Sequence, residues 1–350
     1  MSVPQSPPPA LDRPPPPAPA GARRSTPARA VTAVRAAVEA MRPGQWSKNG
    51  LVLLALIFAR RLTDPAALGR VAVAFVAFCF ASSAVYVLND IADRQRDRLH
   101  PRKRFRPVAS GRLALPLAAA TAAVCAGIAL ILTLWLALVG LRGLADPFAA
   151  WGGSPLLLTL TVAGYLVINV AYSYKLKHVV LWDVFIIAAG FVLRALAGAF
   201  AIPVPISPWF YLCTTFLALL LALGKRRAEL VALGAEAGAE GAKDVEGARG
   251  TQRDTLRRYT VQLLDQLLAV VVTCTLITYS LYTFQGEAAS HALMVTIPFV
   301  VFGIFRYLYL LYVRGDGERP DELLWRDRQI LGSVVLCVLA AGLLLYVFPH

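Results

Sequence analysis

The sequence predicts an all-α, polytopic membrane bundle of about nine transmembrane helices, and three observations carry that expectation. Apolar residues make up 57% of the 350 positions and charged residues only 16%, a balance rare in a soluble domain of this length. The apolar residues gather into runs near the ~20 positions that a spanning helix needs. The basic residues fall between those runs and crowd onto one side of the alternation, as membrane orientation requires. The formal charge of +14 suits anionic headgroups, phosphorylated substrates or nucleic acid. Its placement between apolar runs favours the first two, so no nucleic-acid partner is expected.

The elements follow in order. Residues 1–28 hold ten of the 23 prolines and are expected to form a disordered, extended cytoplasmic tail without the apolar core of a signal peptide. Residues 29–350 read as one membrane-embedded catalytic domain. From Ala30 to Met41, Val31, Val34, Val38 and Met41 recur at helical spacing while Arg35 and Glu39 fall elsewhere, which predicts a short interfacial helix. Nine apolar runs follow at about 47–60, 70–90, 113–139, 156–174, 180–201, 207–223, 258–284, 292–313 and 329–348. The first is short and the sixth borderline. Backbone groups in lipid must be satisfied within the segment, so these runs are helices rather than open strands. Residues 231–250, rich in alanine and glycine, read as a flexible insertion or a poorly formed helix. With nine spans, 29 lysines and arginines lie on the amino-terminal side and four on the other, which places the tail and the basic loops in the cytoplasm. The five cysteines are scattered through apolar runs and read as small core residues. The four histidines show neither metal spacing nor a serine–aspartate pattern.

The clearest chemistry closes the second span, in Asn89-Asp90-Ile91-Ala92-Asp93-Arg94-Gln95-Arg96-Asp97. Spacings of three and four put Asp90, Asp93 and Asp97 on one face of a continuing helix, with Asn89 flanking it. Three close carboxylates repel unless a cation lies among them, and Mg²⁺ completes its shell with water and substrate phosphates. The alternative is a solvated acidic helix end balanced by Arg94, Arg96 and Arg98, although the helix dipole disfavours acids there. The segment from His100 to Arg112 reads either as positive-inside charge or as a phosphate clamp stiffened by Pro101 and Pro107.

The Asn-Asp-x-x-Asp-x-x-x-Asp motif, followed by His-Pro and Arg-Pro-x-Ala-x-Gly, resembles the UbiA superfamily of intramembrane prenyltransferases. Three further segments narrow the resemblance to its decaprenyl-phosphate phosphoribosyltransferase branch, over about residues 38–350. They are Arg42-Pro43-Gly44-Gln45-Trp46-Ser47-Lys48-Asn49, then Tyr172-Ser173-Tyr174-Lys175-Leu176-Lys177-His178 with Asp183, and Leu223-Gly224-Lys225-Arg226-Arg227-Ala228-Glu229-Leu230. Aromatic prenyltransferases of the superfamily carry a second acidic motif between spans six and seven. Here Gly224-Lys225-Arg226-Arg227-Ala228-Glu229 holds that place, reversing the local charge.

The resemblance implies a Mg²⁺-dependent enzyme in the bacterial plasma membrane, its site facing the cytoplasm. It implies transfer of 5-phosphoribosyl from phosphoribosyl diphosphate to polyprenyl phosphate for cell-wall arabinan, with assembly into a homo-oligomer left open. Asp90, Asp93 and Asp97 are the expected metal ligands and catalytic residues. Gln45, Lys48, Asn89, Lys103, Arg106, Tyr172, Lys175, Lys177, Asp183, Arg194, Lys225 and Arg226 are the expected substrate contacts. Lys48, Tyr172, Tyr174, Lys175 and Lys177 also read as interfacial anchors. Asp183 and Arg194, eleven positions apart, share a helix face; Arg194 reads equally as a structural partner or a contact of the lipid phosphate. Arg306 reads as structural. The alternatives are a prenyltransferase using polyprenyl diphosphate with an aromatic or lipid acceptor, and a non-enzymatic carrier of anionic lipid.

Overall fold

The computed structural model describes residues 26–140, 154–202, 204, 206–239, 255–285, 291–317 and 320–347; of the expected proline-rich tail, residues 1–25 lie outside them, and 26–28 are helical, opening the first helix. Every regular element among these residues is helical. Eight helices are long and apolar enough to cross a membrane. They are α3 (Pro65–Ala92), α5 (Leu115–Gly140), α6 (Pro155–Tyr174), α7 (Trp182–Ala201), α8 (Pro208–Ala239), α9 (Val261–Gln285), a seventh built on α10 (Ile297–Tyr309), and α12 (Arg328–Val347). Shorter pieces complete the order: α1 (Thr26–Met41), α2 (Leu54–Phe58), α4 (Arg94–Leu99) and α11 (Pro320–Arg326).

The first expected span takes a different form. Pro43–Leu53 is a 3₁₀ helix of 11 residues that runs into α2. A 3₁₀ helix rises about 2.0 Å per residue against about 1.5 Å in an α-helix, so the two pieces end to end reach about 30 Å, the thickness of the hydrocarbon core. The short run therefore has the length of a crossing, and the expected nine resolve into eight long helices and this one. The borderline sixth run is the opposite case: α8 is 32 residues long. It takes in residues 231–239 of the expected insertion, whose remainder lies outside the described residues.

The two largest apolar clusters among the described residues form most of the core, and α7 belongs to both. Its first half, through Val184 and Ala188, packs with α8–α12. Its second half, through Ala197 and Ala201, packs with the first segment, α3, α5 and α6. The first segment sits so close to α7 that a Cβ at Gly198 would fall 2.1 Å from the Val52 carbonyl oxygen. Gly224 in α8 likewise makes room for Tyr307 of α10, whose hydroxyl would lie 2.1 Å from an added Cβ.

The two ends of the bundle differ. Away from the basic loops, Phe58, Phe210 and Tyr282 stack with centroids 5.6–6.0 Å apart. The Leu62 amide donates to the Tyr346 hydroxyl at 2.8 Å, tying α12 to the same end. At the basic end α1 lies against α3, with Ala36 and Ala40 buried beside Val87, Val108 and Leu113. Val31, Val34 and Val38 remain exposed on its outer side.

Candidate active site

The site is built where α3 ends. Asp93 closes that helix at φ −93°, ψ 5° and opens α4. The Asp93 amide still donates to the Asn89 carbonyl at 2.9 Å, and that of Asp97 to the Asp93 carbonyl at 2.8 Å. The helical repeat thus survives the break, and Asp90 and Asp97, two turns apart, keep a common face. A single nitrogen of Arg106 bridges them, donating to Asp90 Oδ1 at 3.2 Å and Asp97 Oδ2 at 2.7 Å. Arg42 donates to the same Asp90 Oδ1. Asp90 is 1% exposed, and its Oδ2 is buried without a hydrogen-bond partner. Asp93, three positions from Asp90, takes the Lys177 ammonium at 2.5 Å. Of the three carboxylates expected on one face, Asp90 and Asp97 share Arg106, and Asp93 meets Lys177.

The amino-terminal elbow delivers Arg42. This residue holds a left-handed conformation, φ 55° and ψ 62°, uncommon for a side chain of its size. Ser83 anchors the elbow: its hydroxyl donates to the Met41 carbonyl at 3.0 Å and accepts the Trp46 indole N–H at 3.1 Å. The Arg42 guanidinium lies 5.1 Å from the Tyr86 ring centre. The three-residue period of the 3₁₀ helix aligns Gln45 and Lys48 in the column that starts at Arg42. Trp46, Asn49 and Val52 form the next column and meet α3 and α7.

The loop from His100 to Leu113 is folded rather than loose. The His100 Nδ1 accepts the amides of Arg102 and Lys103 at 3.2 and 3.3 Å. Burial, then the nearby Lys103 charge, hold its pKa below the ordinary value, which keeps that acceptor available. Arg112 donates through two nitrogens to Glu39 of α1 at 2.7 Å each, and this bond lowers the Glu39 pKa. Pinned at Arg106 and Arg112, the loop leaves Lys103 exposed.

A second wall faces from α6–α8. Ser173 donates to Asn89 Oδ1 at 2.5 Å, joining α6 to α3. Tyr172 and Lys177 are buried, whereas Lys175 is exposed. Asp183, 1% exposed, contacts Arg226 Nε at 2.7 Å and accepts the Tyr259 hydroxyl at 2.7 Å. Arg226, 3% exposed, donates to Glu229 at 2.5 Å, while its Nε and Nη2 are buried without a hydrogen-bond partner. Lys225 stands 3.9 Å from Glu229. Arg194 lies outside both walls, donating to Asn49 Oδ1, the Gly190 carbonyl and the Tyr165 hydroxyl at 2.6–2.8 Å. Asp183 and Arg194 thus share α7 but serve separate networks. Arg42, Ser173, Glu229 and Tyr259 were not among the expected site residues. Arg42, Ser173 and Tyr259 act through neighbours that only the folded chain supplies, and Glu229 through Arg226 on its own helix; Arg42, Ser173 and Glu229 lie inside motifs already visible in the sequence.

Residues 50–225 match the UbiA prenyltransferase family. A decaprenyl-phosphate phosphoribosyltransferase from Mycolicibacterium smegmatis is 33% identical over 308 residues, covering 83% of this chain and 86% of its own length. The chain belongs to the UbiA prenyltransferase family. The enzyme of the same name from Mycobacterium tuberculosis is 34% identical, covering 88% of this chain and 94% of its own. The nodulation protein NoeC from Azorhizobium caulinodans is 30% identical over 87% of this chain and 90% of its own. Among solved structures, a UbiA homolog from Archaeoglobus fulgidus bound to GPP and Mg²⁺ superposes with a TM-score of 0.63 at 18% identity, covering 89% of this chain and all of that one. At that identity the likeness speaks for the fold.

Whether this UbiA-family chain can hold a divalent cation is a question for its own oxygens. Among the described residues no three carboxylate, histidine or cysteine side chains form a ready cage. Mg²⁺ does not need one, because it keeps several waters and takes one or two carboxylates plus substrate phosphates. The buried, unpartnered Oδ2 of Asp90 suits such an ion, since leaving a carboxylate oxygen dry and unbonded is costly. Asp97, joined to Asp90 through Arg106, is the natural second ligand. The residues fit.

Proposed function

We propose that this UbiA-family protein transfers 5-phosphoribosyl from phosphoribosyl diphosphate to polyprenyl phosphate at the cytoplasmic face of the bacterial plasma membrane, producing a lipid precursor of cell-wall arabinan. One observation carries the choice of donor. Where the aromatic prenyltransferases of the family are expected to carry a second acidic motif, this chain presents Arg226, buried between Asp183 and Glu229 with two nitrogens lacking a hydrogen-bond partner. A site with carboxylates on one wall and a buried guanidinium on the other suits a donor with a metal-bound diphosphate and a separate phosphate. The names of the mycobacterial relatives agree with this reading.

Mg²⁺ held by Asp90 and Asp97, with Asn89 alongside, would neutralise the departing diphosphate. Arg42 and Arg106 already hold carboxylate oxygens, and their guanidinium forks can donate to phosphate oxygens equally well. They can exchange one anion for the other as donor arrives. Gln45, Lys48 and Lys103 extend that wall; Lys177, Tyr172, Lys175 and Lys225 flank the other. The C1–O bond to diphosphate breaks with its electron pair leaving on diphosphate, and an oxygen of polyprenyl phosphate bonds to C1. That oxygen is already anionic at neutral pH, so no general base is required. Positive charge developing on the ribose is stabilised by the surrounding carboxylates. In-line attack inverts the configuration at C1. Arg194, held by three neutral partners, reads as a structural tie between α7 and the first segment.

The competing reading is a polyprenyl diphosphate donor with an aromatic or lipid acceptor, which the GPP-bound archaeal homolog keeps in view. Purified protein with Mg²⁺ and each donor–acceptor pair separates the two. The proposal expects diphosphate release only when phosphoribosyl diphosphate and polyprenyl phosphate are both present. Turnover of polyprenyl diphosphate instead refutes it.

A further inference from the structure

Tyr259 belongs to no motif that the donor reading uses, yet it occupies a constrained position. It follows the segment Leu256–Arg258 and is 3% exposed. Its hydroxyl does two jobs at once. It accepts the Leu181 amide at 2.7 Å and donates to Asp183 Oδ1 at 2.7 Å. Leu181 is held at φ 68°, a strained conformation for a leucine, immediately before α7 begins. The strain is retained where the backbone amide must meet that hydroxyl. With Oδ1 engaged, the other oxygen of Asp183 faces Arg226 Nε at 2.7 Å. Glu229 takes Nη1 at 2.5 Å. Glu229 thus holds Nη1 by a hydrogen bond and Asp183 holds Nε by a close ionic contact, while Nε and Nη2 both stay buried without a hydrogen-bond partner.

A buried N–H without an acceptor is costly unless a ligand completes it. Burial, then the bond to the Asp183 carboxylate, raise the Tyr259 pKa, so the hydroxyl stays a donor at neutral pH. Thr255, four residues earlier, donates to the Lys177 carbonyl at 2.9 Å, and Lys177 in turn holds Asp93. One short segment thus braces both the carboxylate wall and the guanidinium wall.

We infer that Tyr259 is a positioning residue that, through Asp183, aims Arg226 at the 5-phosphate of the donor and so sets the preference for a sugar diphosphate carrying a second, separate phosphate. The inference rests on the donor reading above and adds to it which phosphate Arg226 takes and what orients it.

The test uses the full-length purified protein and two fragments of the donor as inhibitors, ribose 5-phosphate and inorganic diphosphate. Tyr259→Phe should raise the KM for phosphoribosyl diphosphate and the inhibition constant of ribose 5-phosphate about tenfold, the scale of one hydrogen bond to a charged group. The inhibition constant of diphosphate, the KM for polyprenyl phosphate and kcat should stay within about twofold. In an Arg226→Lys background the same substitution should add less than about twofold, because the relay then has nothing to aim. A purely structural role weakens both fragments alike or lowers kcat, and either result overturns the inference. If Tyr259→Phe does not fold, Asp183→Asn interrupts the same relay while keeping a hydrogen-bond acceptor for the tyrosine. Selective loss of ribose 5-phosphate binding there supports the inference, and equal loss of both fragments overturns it. A wild-type protein that turns over phosphoribosyl diphosphate while failing these splits leaves the donor reading standing and removes only this inference.

Discussion

Asp90 carries two guanidiniums on one carboxylate oxygen and leaves the other bare, and this asymmetry shapes what single substitutions should do. Asp90→Asn keeps the volume but removes the charge that would hold the metal. We expect kcat/KM to fall about 10²–10³-fold, as when a group stabilising transition-state charge is lost. Raising Mg²⁺ should restore part of the loss, whereas a variant still near full activity contradicts the assignment. The Glu39–Arg112 pair gives a pH prediction of known sign. Its hydrogen bond lowers the Glu39 pKa, so its contribution is present above the ordinary glutamate value of 4.5 and is lost as pH falls through the depressed folded value. The distance between spin labels at positions 38 and 110 should broaden over that acidic range, and in Glu39→Gln the change should vanish. At this scale the acidic motif was legible because its members are neighbours in sequence and keep a helical repeat across the break at Asp93. Arg42–Asp90, Ser173–Asn89 and Tyr259–Asp183 were not, since they join positions 48, 84 and 76 residues apart. Periodicity reports the faces of one helix and says nothing of which other helix meets them.

The first segment shows what hydropathy can and cannot read. An apolar run too short for an α-helical crossing was visible, but its 3₁₀ winding was not, because both helices bury the same residue types. Its packing supplies the check. Gly198→Ala would drive a methyl group into the Val52 carbonyl, a backbone atom that cannot rotate away. We expect a stability loss of about 1–3 kcal/mol, the usual cost of overpacking, read as a lower unfolding temperature in detergent. Asp327 caps α12 by accepting the Gln329 and Ile330 amides at 3.1 and 3.0 Å, and pairs with Arg306 at 2.7 Å. Asp327→Ala should cost about 1–2 kcal/mol for the lost cap in the same measurement. Arg306 was read in the sequence as structural, and this pairing gives that reading a partner.

Across the whole molecule, the alternation of apolar runs and the crowding of basic residues were enough to read the bundle and its two unlike ends. Long-range packing was not readable. That α7 belongs to both core clusters follows from Gly198, Val184 and Ala188 meeting different neighbours, which no local pattern announces. The two walls of the site are joined by Lys177–Asp93 and Ser173–Asn89. A donor with phosphate at both ends of a sugar is the kind of ligand such walls can grip together. The most direct measurement follows both ends at once. Phosphoribosyl diphosphate carrying ¹⁴C in the ribose and ³²P in the 5-phosphate would be given to the purified protein with polyprenyl phosphate and Mg²⁺. The account predicts that both labels enter the lipid phase in equal amounts, with diphosphate released one for one and C1 inverted. Labels that remain in water while polyprenyl diphosphate is consumed would contradict it.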